Sequence, residues 1–174
     1  YEYAAATEDI AEGPAPSDTG GFVFQIDRSD TPSRPHKIFA NAGGTYVEIE
    51  PNADNAYDAE GLIRVHQKGL APQVGLTDSL LTGASYNSPN PAPIITGTGV
   101  SWLDAGGTAW RTLGEMGAEV SSVTMTPILQ SSTNVTFDVT YTGSLPNVTS
   151  ITEHYVVTTA GVALTTTVAG YSGP

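Results

Sequence analysis

Three features of this 174-residue chain predict an all-β fold, an antiparallel β-sandwich. The chain carries 23 threonines, whose branched Cβ suits strands better than helices. Its 19 glycines and 12 prolines gather in short clusters that punctuate turns. Its last sixty residues hold four consecutive segments with period-two alternation, joined by turn-forming residues. Hydrophobic residues make up 39% of the chain and charged residues 14%, which supplies a core and argues against general disorder. There is no cysteine, so the fold rests on that core without disulfides, and thiolate metal ligation is excluded.

The elements follow in order. Residues 1–20, rich in Ala, Pro and acids, read as an extended acidic arm or linker, and 21–174 as the sandwich. Phe22, Phe24 and Ile26 alternate with Val23 and Gln25 as a first strand, ended by the turn cluster Asp27–Pro32. Lys37–Ala40 and Thr45–Glu50 form the next two strands, joined through Asn41-Ala42-Gly43-Gly44 as a hairpin. Residues 51–61 form a loop or one short helical turn, and Leu62–Gln67 is a strand. Residues 69–117 are loop-rich, since Pro89, Pro91 and Pro93 remove ladder donors, with short strands expected around Ile94-Ile95 and Ala109–Thr112. Val120–Leu129, Asn134–Thr142, Ser150–Thr158 and Val162–Val168 then form an antiparallel meander with one buried face. The chain starts at Tyr1 rather than Met and stops just past a strand pattern. That is the expectation for a processed, secreted or periplasmic product, cut short at its C-terminal end, from a longer protein.

The net charge of −12 argues against nucleic acid and against an anionic membrane surface, because both need Lys and Arg to displace counterions. No stretch reaches the roughly 18 apolar residues of a membrane span. The charge is uneven, however: residues 28–68 hold five of the six basic residues and two of the three histidines, while the segments on either side hold one base in total. An acidic sugar bound in one locally basic groove therefore stays compatible with the composition.

Chemistry, where it is visible, lies in that window. Arg34-Pro35-His36-Lys37 and Leu62-Ile63-Arg64-Val65-His66-Gln67-Lys68 flank an acidic stretch with Asp54, Asp58 and Glu60. Strand alternation puts Leu62, Arg64 and His66 on one face and Ile63, Val65 and Gln67 on the other. Three arrangements compete. His36, His66 and Asp54 or Asp58 make a zinc shell of two imidazoles and a carboxylate. Alternatively Arg64, His66 and Tyr57 line an anion-binding or catalytic groove, Arg neutralising a carboxylate while His or Tyr moves a proton. In the third, Arg64 and Lys68 simply pair with the acids of residues 51–60. A calcium loop is a further alternative, but Ala56 stands where an oxygen ligand is wanted and Gly61 is misplaced, so a solvated acidic turn accounts better for Asp54, Asp58 and Glu60.

Elsewhere the signals are weaker. Asn134-Val135-Thr136 and Asn147-Val148-Thr149 are glycosylation sequons. Trp102 and Trp110 stack on sugars or fill the core, and the core is the commoner fate. Glu153 and His154 are strand neighbours facing opposite ways, which excludes them as a catalytic pair.

The runs Thr31–Ala40 (TPSRPHKIFA), Gly44–Glu50 (GTYVEIE) and Tyr57–His66 (YDAEGLIRVH), with Ile151–Tyr155 through Gly161–Val168, resemble the β-sandwich region of heparinase-type (heparinase II/III-like) polysaccharide lyases. The likeness spans residues 20 to 174. It implies a supersandwich-like portion of a larger toroid-plus-sandwich enzyme, the helical toroid being a partner segment of the same parent protein. The implied activity is cleavage of an acidic, uronate-containing polysaccharide by β-elimination. The implied metal is a zinc ion on His36, His66 and Asp54 or Asp58, and Arg64 is the group that would meet the uronate carboxylate. The toroid, which carries the principal Tyr and His of such enzymes, is not in this chain. The competing expectation is a non-catalytic secreted β-sandwich, a cell-surface or filament subunit that assembles by adding its acidic arm to a neighbour's sheet edge.

Overall fold

A computed structural model describes residues 20–27, 33–52, 60–70 and 98–173. The sequence-expected arm and the strand around Ile94-Ile95 lie outside these residues. The strands among the described residues, in chain order, are β1 (Phe22–Asp27), β2 (Pro35–Ala42), β3 (Thr45–Glu50), β4 (Gly61–Gln67), β5 (Ser101–Leu103), β6 (Trp110–Thr112), β7 (Val120–Gln130), β8 (Asn134–Gly143), β9 (Ser150–Thr158) and β10 (Gly161–Ala169), with a 3-10 turn at Leu113–Glu115. The fold is all-β as expected. β1-β2-β3-β4 form one antiparallel sheet, β10-β9-β8-β7 a second, and β5-β6 a two-stranded ribbon. β5 was not anticipated: three residues are too few for a period to be visible.

Two meanders face each other because each has one apolar side. Ile38, Ala40, Val47 and Ile49 from the first sheet are fully buried, as are Val135, Phe137, Val139, Tyr141, Ile151, Tyr155 and Val157 from the second. These residues form one cluster, and β2 and β3 contact β8 and β9 across it. Within it the Phe137 and Tyr155 rings stack at a centroid separation of 5.1 Å and an interplanar angle of 10°. The Asn41–Gly44 hairpin forms as expected: Gly43 and Gly44 have φ of 56° and 89°, the two positive values that a type I′ turn requires. Gly43 is also needed for space, since a Cβ there would lie 2.2 Å from Thr159 Cγ2 of the β9–β10 turn.

Two β-bulges correct the simple alternation assumed for the first sheet. Between β1 and β2 the register passes from Ile26↔Lys37 to Asp27↔Pro35, leaving His36 as the extra residue. Between β3 and β4 it passes from Glu48↔Arg64 to Ile49↔Leu62, leaving Ile63 as the extra residue. Arg64 and His66 remain on one face, but Leu62 opposes the buried Ile49 and packs against the core instead of sharing that face.

Candidate functional site

The outer face of the first sheet is unlike that of the second. On the second sheet the middle of the outward face is polar, in cross-strand rows Thr124–Thr140–Thr152–Thr167 and Thr126–Asp138–His154–Thr165, while Ile128 and Leu129 are exposed at the end of β7. That is the ordinary pattern for an antiparallel sheet with one wet side. On the first sheet, the positions opposite the buried Ala40, Val47 and Ile49 carry aromatics and charges in two rows, Phe22–Asn41–Tyr46–His66 and Phe24–Phe39–Glu48–Arg64.

The rings connect into a belt that crosses all four strands. Centroid separations are 5.6 Å from Phe22 to Phe24, 5.2 Å from Phe24 to Phe39, 6.2 Å from Phe39 to Tyr46 and 6.2 Å from Tyr46 to His66. Phe24 is 47% exposed, so the belt meets solvent rather than a packed layer. At its β4 end Arg64, with a side chain 48% exposed, places Nη1 3.4 Å from Glu48 Oε2. Lys37 lies beyond, with Nζ 2.9 Å from Glu50 Oε2 and 4.0 Å from Glu48 Oε1. Burial, with the Glu48 carboxylate next in weight, raises the Tyr46 phenol above its ordinary value, and Arg64 opposes this by a smaller amount. Tyr46 therefore stays protonated at neutral pH.

The sequence-expected site residues are only partly brought together. Arg64 and His66 share the outer face, with Tyr46 directly across from His66. Arg64 pairs with Glu48 of β3, and its expected pairing with Asp54 or Asp58 falls on residues outside those described. Asp54, Tyr57 and Asp58 lie outside the described residues. His36 is exposed in its bulge at one end of β2, whereas His66 lies in the row of Asn41, five positions further along. At roughly 3.3 Å per residue that is about 16 Å along the strands, while ligation needs both imidazoles about 2 Å from one ion. Among the described residues no group of three or more His, Asp or Glu could hold a metal.

Glu60 departs from the expectation of a solvated acidic turn. It is 2% exposed, and Glu50 and Glu153 are fully buried. Glu153 points inward from β9, where Tyr155 and Tyr141 donate to its Oε2 at 2.8 and 3.4 Å. Burial pushes Glu153 up to about 7, the two tyrosine hydrogen bonds holding it from rising further. Burial, then the negative charges of Glu153 and Glu50, push Glu60 well above the usual carboxylate range against one backbone hydrogen bond from Gly99. Gly99 is required here, since a Cβ would stand 1.9 Å from Glu60 Oε2. His154, by contrast, faces outward and places Nδ1 2.6 Å from Asp138 Oδ1, so the opposed orientation expected of Glu153 and His154 is observed.

The two tryptophans divide. Trp102 is core, 4% exposed, with Nε1 donating to the Pro146 carbonyl at 2.7 Å. Trp110 is 67% exposed and, with Tyr171 and Ser101, borders a cleft of about 290 Å³. Of the sequons, Asn147 has its Nδ2, the atom a glycan would join, buried.

Comparison of the chain with family models, with curated proteins and with solved structures returned no match. The likeness to heparinase-type lyases accordingly rests on the residues quoted for it. No helix among the described residues is long and apolar enough to cross a membrane.

Proposed function

We propose that this chain is the β-sandwich portion of a secreted lyase for acidic, uronate-containing polysaccharide, and that the outer face of the first sheet is where the sugar lies. The observation that carries the proposal is the convergence of Arg64, His66 and Tyr46 at one end of an exposed aromatic belt. A cation, an imidazole and a protonated phenol are the three kinds of group that β-elimination requires.

The guanidinium of Arg64 neutralises the uronate carboxylate, which makes the proton on the adjacent carbon easier to remove. The imidazole of His66 takes that proton. The electron pair left behind forms a carbon–carbon double bond as the glycosidic carbon–oxygen bond breaks, and the departing oxygen takes a proton from Tyr46. Tyr57 is a second candidate for that donor, and the toroid of the parent protein would supply further proton-transfer groups above this face.

The test is the ultraviolet absorbance of the new unsaturated uronate, followed with the longest natural form of the protein and a panel of polyuronates. The expected result is a rising signal on at least one of them and its loss in Arg64→Ala. A parent protein that produces no unsaturated product from any uronate-containing polysaccharide contradicts the lyase proposal.

A further inference from the structure

Among the described residues the two four-stranded sheets end in four edge strands, β1, β4, β7 and β10, and an edge strand offers unpaired backbone N–H and C=O groups to any strand that comes near. Three of the four are blunted. On β1 the Val23 N–H is taken by Gln130 Oε1 at 3.0 Å, and the His36 bulge ends the regular ladder. On β4 Thr98 Oγ1 accepts the Leu62 N–H at 2.7 Å and the Thr98 N–H donates to the Glu60 carbonyl at 3.2 Å, while Arg64 adds a charge. On β7 the Ser33 carbonyl accepts the Val123 N–H at 2.9 Å, Arg34 donates to the Val120 carbonyl, Pro127 removes a donor and two bulges bend the strand. β10 has none of these devices. It pairs with β9 over nine residues, from Gly161↔Thr158 to Ala169↔Ser150, without a register shift. Among the described residues its hydrogen bonds are made with β9 and the residues flanking β9. Its sequence, GVALTTTVA, holds no proline and no charge, and residues 155–174 contain no Asp, Glu, Lys or Arg in a chain of net charge −12.

We propose that β10 is the edge through which this protein dimerises: a second copy lays its own β10 antiparallel beside it, and two four-stranded sheets become one of eight strands. The proposal stands independently of the polysaccharide reading. A two-fold axis through Thr165 pairs the whole strand with itself, setting Gly161 against Ala169, Val162 against Val168, Ala163 against Thr167 and Leu164 against Thr166. In that register every residue meets one of its own face. The exposed Ala163, Thr165 and Thr167 meet on the wet side, and Val162, Leu164 and Val168, which the core covers only in part, meet across the seam on the inner side. Val168 also lines the cleft that Trp110 and Tyr171 border, so Val162 of the second copy arrives at its rim and covers apolar surface left open in the single chain. Charge favours a second copy at this edge over the others: each chain carries −12, and an uncharged strand is where two such chains approach with least repulsion.

Sedimentation equilibrium of the 174-residue chain over a range of concentrations tests this. A monomer–dimer equilibrium is expected, with the dimer favoured by added salt, which screens the net charge. Thr165 is exposed and lies on the axis, so Thr165→Lys and Thr165→Glu each set like charges face to face. Each should weaken the dimer on the order of tenfold or more while leaving the far-ultraviolet circular dichroism of the fold unchanged. Mixing the two variants sets Lys against Glu and should restore the dimer, which a fold damaged by either substitution could not do. Thr126→Lys, at an exposed position of the β7 edge, should leave the dimer intact. A chain that stays monomeric at every concentration and salt overturns the proposal. A dimer that survives both Thr165 variants, or that Thr126→Lys dissolves instead, also overturns it. Loss in both Thr165 variants without recovery on mixing overturns the two-fold register through Thr165.

Discussion

The sandwich is expected to lose stability as the pH rises from about 4.5 to neutrality, by on the order of 3 kcal/mol from Glu153 alone. The sign follows from proton counting. Glu153 titrates near 7 in the folded chain against an ordinary value of 4.5, so in that window the folded state binds more protons than the unfolded state. Stability then falls with rising pH, and the contribution of Glu153 levels off above about 7. Glu60, raised in the same direction by burial beside Glu153 and Glu50, adds to the loss. Among the described residues the groups that act on the pair are Tyr141, Tyr155 and Glu50, none of them a cation, and Lys37 is engaged with Glu50. Asp104 acts in the opposite sense, since backbone N–H groups, led by Thr108, lower it, and its small benefit is lost only below the ordinary carboxylate range. Urea unfolding at pH 5 and pH 8 checks the prediction. Glu153→Gln keeps an acceptor for the tyrosine hydroxyls and removes the titration, so its two curves should lie closer together than those of wild type. Parallel pH dependence in the two proteins would contradict the account.

Arg64→Ala is expected to cost at least tenfold in affinity for a uronate-containing chain, and more in any elimination rate. Charge-assisted contacts between guanidinium and carboxylate contribute about 1.5–3 kcal/mol when formed. The folding cost of the same substitution is small, because the half-exposed Arg64–Glu48 pair contributes about 0–1 kcal/mol. That contrast separates a binding role from a structural one. Glu48→Gln supplies the second half of the test. Glu48 competes with the ligand for Arg64 at 3.4 Å, so its neutralisation should strengthen binding by a few-fold while leaving the melting temperature almost unchanged. Arg64→Lys should recover only part of the loss, since an ammonium cannot grip a carboxylate with two parallel hydrogen bonds. Equal affinities across all four proteins, measured at one ionic strength, would contradict a role for Arg64 in anion recognition.

Apart from β5 the strands were legible, but the inward face of β1 was not. Period two in Phe22–Ile26 yields two faces, and hydrophobicity alone favours burying the phenylalanines. The structure buries Val23 and leaves Phe24 outside, because Val23 pairs with Ala40 in the core row and Phe24 with Phe39 in the outer row. A single strand cannot decide this, whereas cross-strand register can. The two bulges were invisible for the same reason: an extra residue at His36 or Ile63 leaves no mark on local composition, yet the one at Ile63 moves Leu62 to the core side. Glu60 was misjudged because acids between Pro51 and Gly61 resemble solvated loop residues, and only the opposing sheet, with Glu153 and its two tyrosines, reveals the buried setting. The shared face of Arg64 and His66 was legible, since two residues of separation on an unbulged stretch of strand keep them together.

The most direct measurement is amide chemical-shift mapping of the labelled chain titrated with an oligosaccharide that contains uronate. The account predicts saturable shifts confined to the first sheet, at Phe22, Phe24, Phe39, Tyr46, Arg64 and His66 and their immediate neighbours, with the threonine face of β7 to β10 unmoved. Shifts centred on that threonine face or on the Trp110 cleft, or none at saturating ligand, would contradict it.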